Sequence, residues 1–433
     1  MLFSLVLNHV KAATKLPTIE IDEIYRNKDL KELDIDTYLS DLDIDKAVKI
    51  TLIKNPELRS DLQKLGVAEA ELIGAKLFSN PQLAGELMFF DRNSDIDYEI
   101  EIQKEILDIF FRPMRKSVGE AKLDLAKYQL SQIVLNKIFE TKAKFLEYVF
   151  YLKALELKKT SVELTELEAE VAQRQNEAGN INPLELYSHN LSKLHNENKL
   201  ADFNAEYIIA KQNFLRVLAL NEADLKINQN FDYLVFPTDD KLVFDDLINI
   251  AFSNSPELKA IEKDVLANQK SLKLAKWRAL PEFSLGGKVL DEPGPGRYWG
   301  PTISAGIPIF DRNQDQKAFY KAMLEKTKFD YEAQKIKLYA DIKSSFADLE
   351  AKREIALRYK DFIFEQRQKL LKMTQLNYNF MLKDVYDLLH AKKNLVDAEI
   401  TYLEALKDYY QNKFEILSLI GLTNFMESDI NEK

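Results

Sequence analysis

The sequence of 433 residues contains no cysteine, so it offers no side chain for disulfide bonds, for thiolate metal sites or for a lipid-modified N-terminal cysteine. Glycine and proline are scarce, with 12 of each, and therefore interrupt the chain at few places. No run of 18 apolar residues occurs, which excludes a transmembrane helix. What remains is a composition suited to long helices that carry polar faces.

The chain also lacks a basic excess. It has 60 Lys and Arg against 70 Asp and Glu, which gives a formal net charge of −10. Because binding to phosphates requires a basic surface, we expect no nucleic-acid partner. The sequence contains no nucleophile triad, phosphate loop or cluster of metal ligands. His189 and His195 are six positions apart and so do not share a helix face. We therefore expect no catalytic residues, no cofactor-binding residues, no cofactor and no bound metal, and hence no enzyme.

The N-terminal segment has little periodicity. Residues 1–14 combine a short apolar run with Ala12 and Ala13, which is typical of the end of a secretory signal with a small-residue cleavage site. Residues 15–42 are acidic and poorly periodic. We interpret the first stretch as the remnant of a signal and the second as an extended leader.

An internal repeat with an offset of 200 residues dominates the rest of the chain. Asn-Pro-Glu-Leu at 55–58 recurs as Ser-Pro-Glu-Leu at 255–258. Ile-Phe followed by Arg at 109–112 recurs with the same spacing at 309–312. A unit this long is half of a pseudo-symmetric body rather than a small solenoid repeat.

Each repeat is predicted to contain a helix, a β-hairpin, a very long helix and a return helix. Repeat 1 (43–220) has these at 43–78, about 82–110, 112–178 and 183–220, and repeat 2 (242–421) at 242–280, about 282–310, 313–379 and 384–420. A linker at 221–241 joins the repeats, and a tail at 422–433 follows them. The long helix of repeat 1 carries a heptad seam at Leu157, Leu164 and Val171, with Leu167 between, and we expect Glu168 and Glu170 to be exposed.

The hairpin strands show period-2 alternation, which predicts one apolar and one polar face. The apolar positions are Tyr98, Ile100 and Ile102 in repeat 1, and Ile303, Ala305, Ile307 and Ile309 in repeat 2. Four strands are too few to close a barrel, and open strand edges are not stable in lipid. Three copies supply twelve strands and a closed barrel, with Tyr298 and Trp299 in its aromatic girdle.

Three motifs together resemble the TolC-type outer-membrane efflux protein family. They are the Asn-Pro-Glu-Leu start at 55–58, the strand exit Gly-Ile-Pro-Ile-Phe-Asp-Arg-Asn-Gln at 306–314, and the tip Glu-Ala-Gly-Asn-Ile-Asn-Pro at 177–183. The exit is most similar to the heavy-metal-efflux branch. The resemblance runs from about residue 43 to 421, nearly the whole chain.

The resemblance implies a homotrimeric duct in the outer membrane of a Gram-negative bacterium, extending into the periplasm. A 12-stranded β-barrel in outer-membrane lipid would continue into a periplasmic α-helical coiled-coil barrel. The partners implied are a periplasmic adaptor (membrane fusion protein) and an inner-membrane pump of the resistance-nodulation-division type. Two alternatives stay open: the duct of a type I protein secretion system, and a soluble coiled-coil scaffold.

The resemblance also indicates where gating and docking residues lie. Asp384 and Asp387, three apart on one helix face, are candidates for an acidic aperture, although both also suit a helix N-terminus. Met381 stands where the family usually has glycine. The candidate adaptor-docking residues lie at the two tips: Gly179, Asn180, Ile181, Asn182, Pro183, Leu184, Met381, Leu382, Lys383 and Val385.

Overall fold

The computed structural model describes residues 42–89, 96–222, 234, 236, 242–292 and 296–422. The predicted signal remnant, nearly all of the leader, most of the linker, the hairpin turns and nearly all of the tail lie outside these residues. The described chain divides into two compact units. Unit 1 comprises residues 1–59, 132–255 and 337–433, and unit 2 comprises 60–131 and 256–336, so each repeat contributes to both.

Helices form most of the described chain. In order they are α1 (Ile44–Lys54), α2 (Pro56–Lys76), α3 (Asp108–Glu177), α4 (Pro183–Leu218), α5 (Phe244–Asn254), α6 (Pro256–Trp277), α7 (Gln314–Arg358), α8 (Phe364–Asn379) and α9 (Val385–Ile420). A π-helical turn, Tyr359–Ile363, separates α7 from α8. None of the described helices has the length and apolar character needed to span a membrane.

Asn55 explains why the first predicted helix is two helices in the structure. Proline 56 cannot continue the hydrogen-bond ladder of α1, and the Asn55 backbone N–H instead ends α1 on the Thr51 carbonyl. The buried Asn55 side chain accepts from the Leu58 N–H at 3.0 Å and donates to the Val217 carbonyl at 2.8 Å. One residue thus ends α1, starts α2 and ties both to the end of α4.

Unit 2 contains one antiparallel sheet of four strands in the order β1-β2-β3-β4. The strands are β1 (Gln82–Phe89), β2 (Ile96–Glu105), β3 (Glu282–Glu292) and β4 (Gly296–Gly306). The register pairs Leu83 with Ile102 and Leu285 with Ile303, all on one face. This face is largely apolar and its large side chains are exposed, whereas the opposite face is polar.

The last strand ends earlier than the alternation predicted. We expected Ile307 and Ile309 to lie in the strand, but β4 stops at Gly306 and residues 307–312 are neither helix nor strand. Proline at 308 has no N–H to donate to a ladder, which accounts for the early end.

Where β2 passes into α3, a buried ion pair holds the chain. The carboxylate of Asp108 is 1% exposed; it pairs with the Arg115 guanidinium and accepts the Ser79 N–H at 2.8 Å. Arg115 also donates to the Leu77 carbonyl at 2.9 Å. The end of α2 and the start of α3, which directly follows β2, are therefore fixed together within unit 2.

In unit 1 the core gathers around the middle of α3. Phe145, Tyr148 and Phe214 pack as an aromatic cluster between α3 and α4, with ring centroids 5.6 and 5.7 Å apart. Nearer the tip, α3 still buries Leu155, Val162 and Leu164, but many of its other buried positions are small or polar: Ala154, Ser161, Thr165, Glu168 and Ala172. Small side chains in such a seam let helix backbones approach closely.

The predicted seam of α3 is partly wrong. Leu164 is buried as expected, but Leu167 is 48% exposed and Glu168 is 1% exposed. Helix α3 has two helical neighbours in unit 1, because Glu166 pairs with Lys193 of α4 and Lys158 pairs with Asp397 of α9. A helix with two neighbours buries two stripes, and one heptad pattern of leucines cannot identify both.

Candidate functional site

The first tip, between α3 and α4, is a tight helix-to-helix turn. Gly179 has a φ of +77°, and its N–H donates to the Asn176 carbonyl while the Asn180 N–H donates to the Gln175 carbonyl. This pair of bonds is the Schellman arrangement that ends many helices. Asn182 then caps α4 by accepting the Glu185 N–H at 3.0 Å, ahead of Pro183 in the first turn.

The second tip, between α8 and α9, repeats that geometry without glycine. Met381 has a φ of +59°, its N–H donates to the Tyr378 carbonyl, and the Leu382 N–H donates to the Asn377 carbonyl. Asp384 caps α9 by accepting the Asp387 N–H at 2.8 Å. The two tips are therefore the same turn built from different residues.

These matching turns correct the alignment of the tips. The offset of 200 residues places Lys383 and Asp384 opposite Pro183 and Leu184. In the structure Met381 matches Gly179 and Asp384 matches Asn182, an offset of 202. The two additional residues lie between Arg312 and the tip, the segment that also contains the π-helical turn. A wider π turn takes up extra residues within a long helix.

Asp384 and Asp387 both act at the N-terminus of α9, as their spacing allowed. The Asp384 side chain is the N-cap, and the Asp387 carboxylate lies 3.0 Å from the Lys383 ammonium. The chain thus presents two carboxylates and one ammonium at this end. Their role in an aperture stays a prediction.

The tips expose large apolar side chains. Leu184 is 78% exposed, Leu382 72% and Met381 94%. The polar tip residues Asn180 and Asn182 and the ammonium-bearing Lys383 are also exposed, while Ile181 and Val385 are half-buried. The role of these residues in adaptor docking stays a prediction.

Sequence reasoning missed one arrangement behind the tips. The Tyr386 hydroxyl donates to the Gln175 side-chain oxygen at 3.1 Å, which joins α9 to α3. The His189 ring of α4 stacks on the Tyr386 ring at 4.3 Å. Burial raises the pKa of Tyr386, and the charges of Asp384, Glu185 and Glu168 add to the effect. A tyrosine two residues after a helix N-cap was the available signal.

The buried Glu168 near Tyr386 contradicts the exposed position that the sequence predicted. Its Oε1 has no hydrogen-bond partner among the described residues. Within the same part of the chain, no three His, Cys, Asp or Glu side chains are grouped closely enough to hold a metal ion.

An exposed apolar sheet face, joined in one chain with helices as long as α3, defines an outer-membrane channel fold. The fold matches two solved channels. Against the CmeC outer membrane channel of Campylobacter jejuni the TM-score is 0.71 at 14% identity, covering 91% of this chain and 89% of that one. Against the MtrE outer membrane channel of Neisseria gonorrhoeae it is 0.67 at 14% identity, covering 87% and 88%.

Comparison with known sequences links the chain to a protein family. Residues 247–422 match the family described as Outer membrane efflux protein. The chain is 22% identical over 383 residues to the cobalt-zinc-cadmium resistance protein CzcC of Cupriavidus metallidurans, covering 88% of this chain and 90% of the relative. Residues 247–422 therefore carry a match to the outer membrane efflux protein family, and the resemblance that the sequence motifs indicated is confirmed. The chain's predicted location in the outer membrane and its predicted mainly helical fold with a four-stranded antiparallel sheet are confirmed, and members of this family are channels rather than enzymes.

Proposed function

We propose that the protein is the outer-membrane duct of a tripartite efflux system that exports divalent transition-metal cations. In this proposal it works as a homotrimer with a periplasmic adaptor and an inner-membrane pump of the resistance-nodulation-division type. The pump supplies energy and selects cargo, and the duct supplies the path. Support for the metal cargo comes from the likeness to a cobalt-zinc-cadmium resistance protein that extends over most of both chains.

The observation that carries the proposal is the open sheet. Among the described residues, β1 and β4 each pair with a strand on one side only. Backbone groups on a free strand edge cannot be left unpaired in hydrocarbon, where each costs several kcal/mol. Because β1 and β4 run antiparallel to each other, β4 of one chain can pair with β1 of the next. Three chains then form a closed barrel of twelve strands.

The helices of unit 1 support the same assembly. Leu184, Tyr187, Leu191 and Leu194 of α4 are all at least half exposed and follow one another at spacings of three, four and three residues. That is the spacing of a coiled-coil seam. Met373 of α8 and Phe380, the C-cap of that helix, are seven residues apart and 56% and 73% exposed. We infer that these two stripes pack against neighbouring protomers.

Gene deletion and complementation test the proposal. A strain without this protein should become more sensitive to cobalt, zinc and cadmium, and the intact chain should restore resistance. Deleting the inner-membrane pump that co-purifies with the protein after crosslinking should give the same sensitivity. If metal resistance is unchanged while one protein disappears from the culture medium, the duct serves type I protein secretion instead. A protein recovered only as a soluble monomer contradicts both forms of the duct.

A further inference from the structure

The polar face of the sheet in unit 2 carries an unbalanced set of charges. The register places seven carboxylates of the described strand residues on this face: Glu86, Asp97, Glu99, Glu101, Glu105, Glu282 and Glu292. Lys288 is the one basic residue that shares it among the described strand positions, so six negative charges remain per chain. The opposite, apolar face carries only Lys104, Asp291 and Arg297 in the same strands.

Strand β2 holds most of these carboxylates in a row. Asp97, Glu99, Glu101 and Glu105 stand on one face, and neighbours two positions apart lie about 6.8 Å from each other along the strand. Such a row offers separate oxygen ligands in sequence rather than one chelating group. Divalent cations that must keep moving need several weak sites of this kind.

Two further contacts indicate that the row attracts cations. Glu86 and Glu99 are direct partners across β1 and β2, an arrangement that repels unless a positive charge lies close by. The Lys288 ammonium provides that charge, at 3.1 Å from the Glu99 carboxylate, and Lys288 is also the cross-strand partner of Glu101. Lys288 therefore occupies, as a tethered cation, the place where the carboxylates of β1 and β2 meet.

Asp97 points to a cation on this face independently of the charge count. It is 7% exposed, lies next to Glu99 on the same face, and its Oδ1 has no hydrogen-bond partner among the described residues. A buried carboxylate oxygen without a donor is costly unless a donor or a cation reaches it.

We propose that this row is a cation path on the inner face of the barrel and that Lys288 sets how tightly divalent cations bind to it. The proposal rests on the proposed function, because that function makes the polar face the lining of the channel. Lys288 competes with a divalent cation for Glu99 and Glu101. It thereby keeps each binding step weak enough for the cation to leave.

The test is the reversal potential of the purified protein in planar bilayers under a KCl gradient, followed by titration with CoCl2. The wild type should prefer K⁺ over Cl⁻. Glu86→Gln combined with Glu101→Gln should lower that preference at least about twofold. Lys288→Met should raise it, and Co²⁺ should reduce the K⁺ current at lower concentrations than in the wild type. Lys104→Met makes the same charge change on the apolar face, and it should leave both measurements unaltered.

The outcomes separate the two proposals. If the protein conducts ions but both inner-face variants keep the wild-type selectivity and Co²⁺ response, the cation path is wrong and the duct stands. If Lys104→Met changes selectivity as much as Lys288→Met, the inner-face assignment is wrong. A wild-type protein that inserts as a trimer yet never conducts contradicts the duct itself. The tip residues are the same in all variants. Any difference in ion selectivity among the variants therefore arises in the barrel.

Discussion

Gly179 and Met381 occupy the same position in the same helix-ending turn, with φ angles of +77° and +59°. Glycine adopts this left-handed conformation without cost, whereas a side chain with a Cβ costs roughly 1–2 kcal/mol there. The Met381 side chain is 94% exposed, so contacts within the protomer do not offset that cost. Because Met381 destabilises its own turn, we expect its side chain to contact a partner protein.

Met381→Gly should therefore stabilise the purified protein slightly, by about 1 kcal/mol, because it relieves the left-handed strain. It should at the same time lower metal resistance in cells if Met381 contacts the adaptor. Thermal unfolding and resistance assays give the two readouts. Gly179→Ala is the matched control, since it adds strain at the other tip and should lower stability. A Met381→Gly protein with lower stability contradicts this account of the turn.

The capping role of Asp384 and the role of its negative charge can be tested separately. Asp384→Ala removes the side-chain acceptor for the Asp387 N–H and should cost about 1 kcal/mol. Asp384→Asn keeps an acceptor and should leave stability nearly unchanged. If the carboxylate also lines an aperture, Asp384→Asn should lower cation preference in bilayers. If Asp384→Asn and the wild type show the same cation preference, Asp384 caps α9 and does not line an aperture.

The pair formed by Asp108 and Arg115 should dominate the acid stability of unit 2. Burial by itself raises the pKa of Asp108, but hydrogen bonds from Arg115 and from the Ser79 N–H, with the Arg115 charge, outweigh it and hold the pKa below its usual value. A carboxyl group with a lowered folded pKa stabilises the protein above its unfolded pKa, near 3.9, and this contribution is lost as the pH falls through the folded value.

Asp108→Asn should accordingly destabilise the protein at pH 7 by about 3 kcal/mol, because it leaves Arg115 without its charge partner. The difference from the wild type should shrink below about pH 4, where the Asp108 carboxyl group of the unfolded wild-type chain begins to take up a proton while that of the folded chain does not yet do so. Thermal unfolding between pH 3 and pH 7 measures both effects. A difference that stays constant across this range would show that the Asp108 charge is unimportant.

Gly286 of β3 pairs with Gln103 of β2 on one side and with Thr302 of β4 on the other. A Cβ at this position would stand 2.3 Å from the Ile102 carbonyl oxygen and 2.7 Å from the Thr302 hydroxyl. Gly286→Ala should therefore disrupt the pairing of β2 with β3 and reduce the yield of assembled protein in the outer membrane. Gly300→Ala is the control, because a Cβ there meets nothing within 4 Å. Equal yields of the two variants would contradict this packing.

The sequence predicted the elements that depend on spacing. Alternation in 98–102 and the 200-residue repeat indicated the hairpins and the long helices, because strand and helix periods are set by backbone geometry. It did not predict that Met381 adopts a left-handed φ, since methionine disfavours that conformation. It also placed Glu168 on the surface, because the burial of α3 depends on two neighbouring helices that heptad spacing does not reveal.

In the proposed assembly, three chains close one barrel through β4 of one chain and β1 of the next. Because the sequence has no cysteine, Leu83→Cys and Ile303→Cys in one chain, both on the apolar face of the two edge strands, introduce the only thiols. A flexible bismaleimide should then give dimers and trimers, with a ladder that ends at about 150 kDa for a 50.2 kDa chain. Either single variant should give no ladder beyond the dimer. A double variant that remains monomeric, or a ladder that continues past three chains, would contradict the closed trimer.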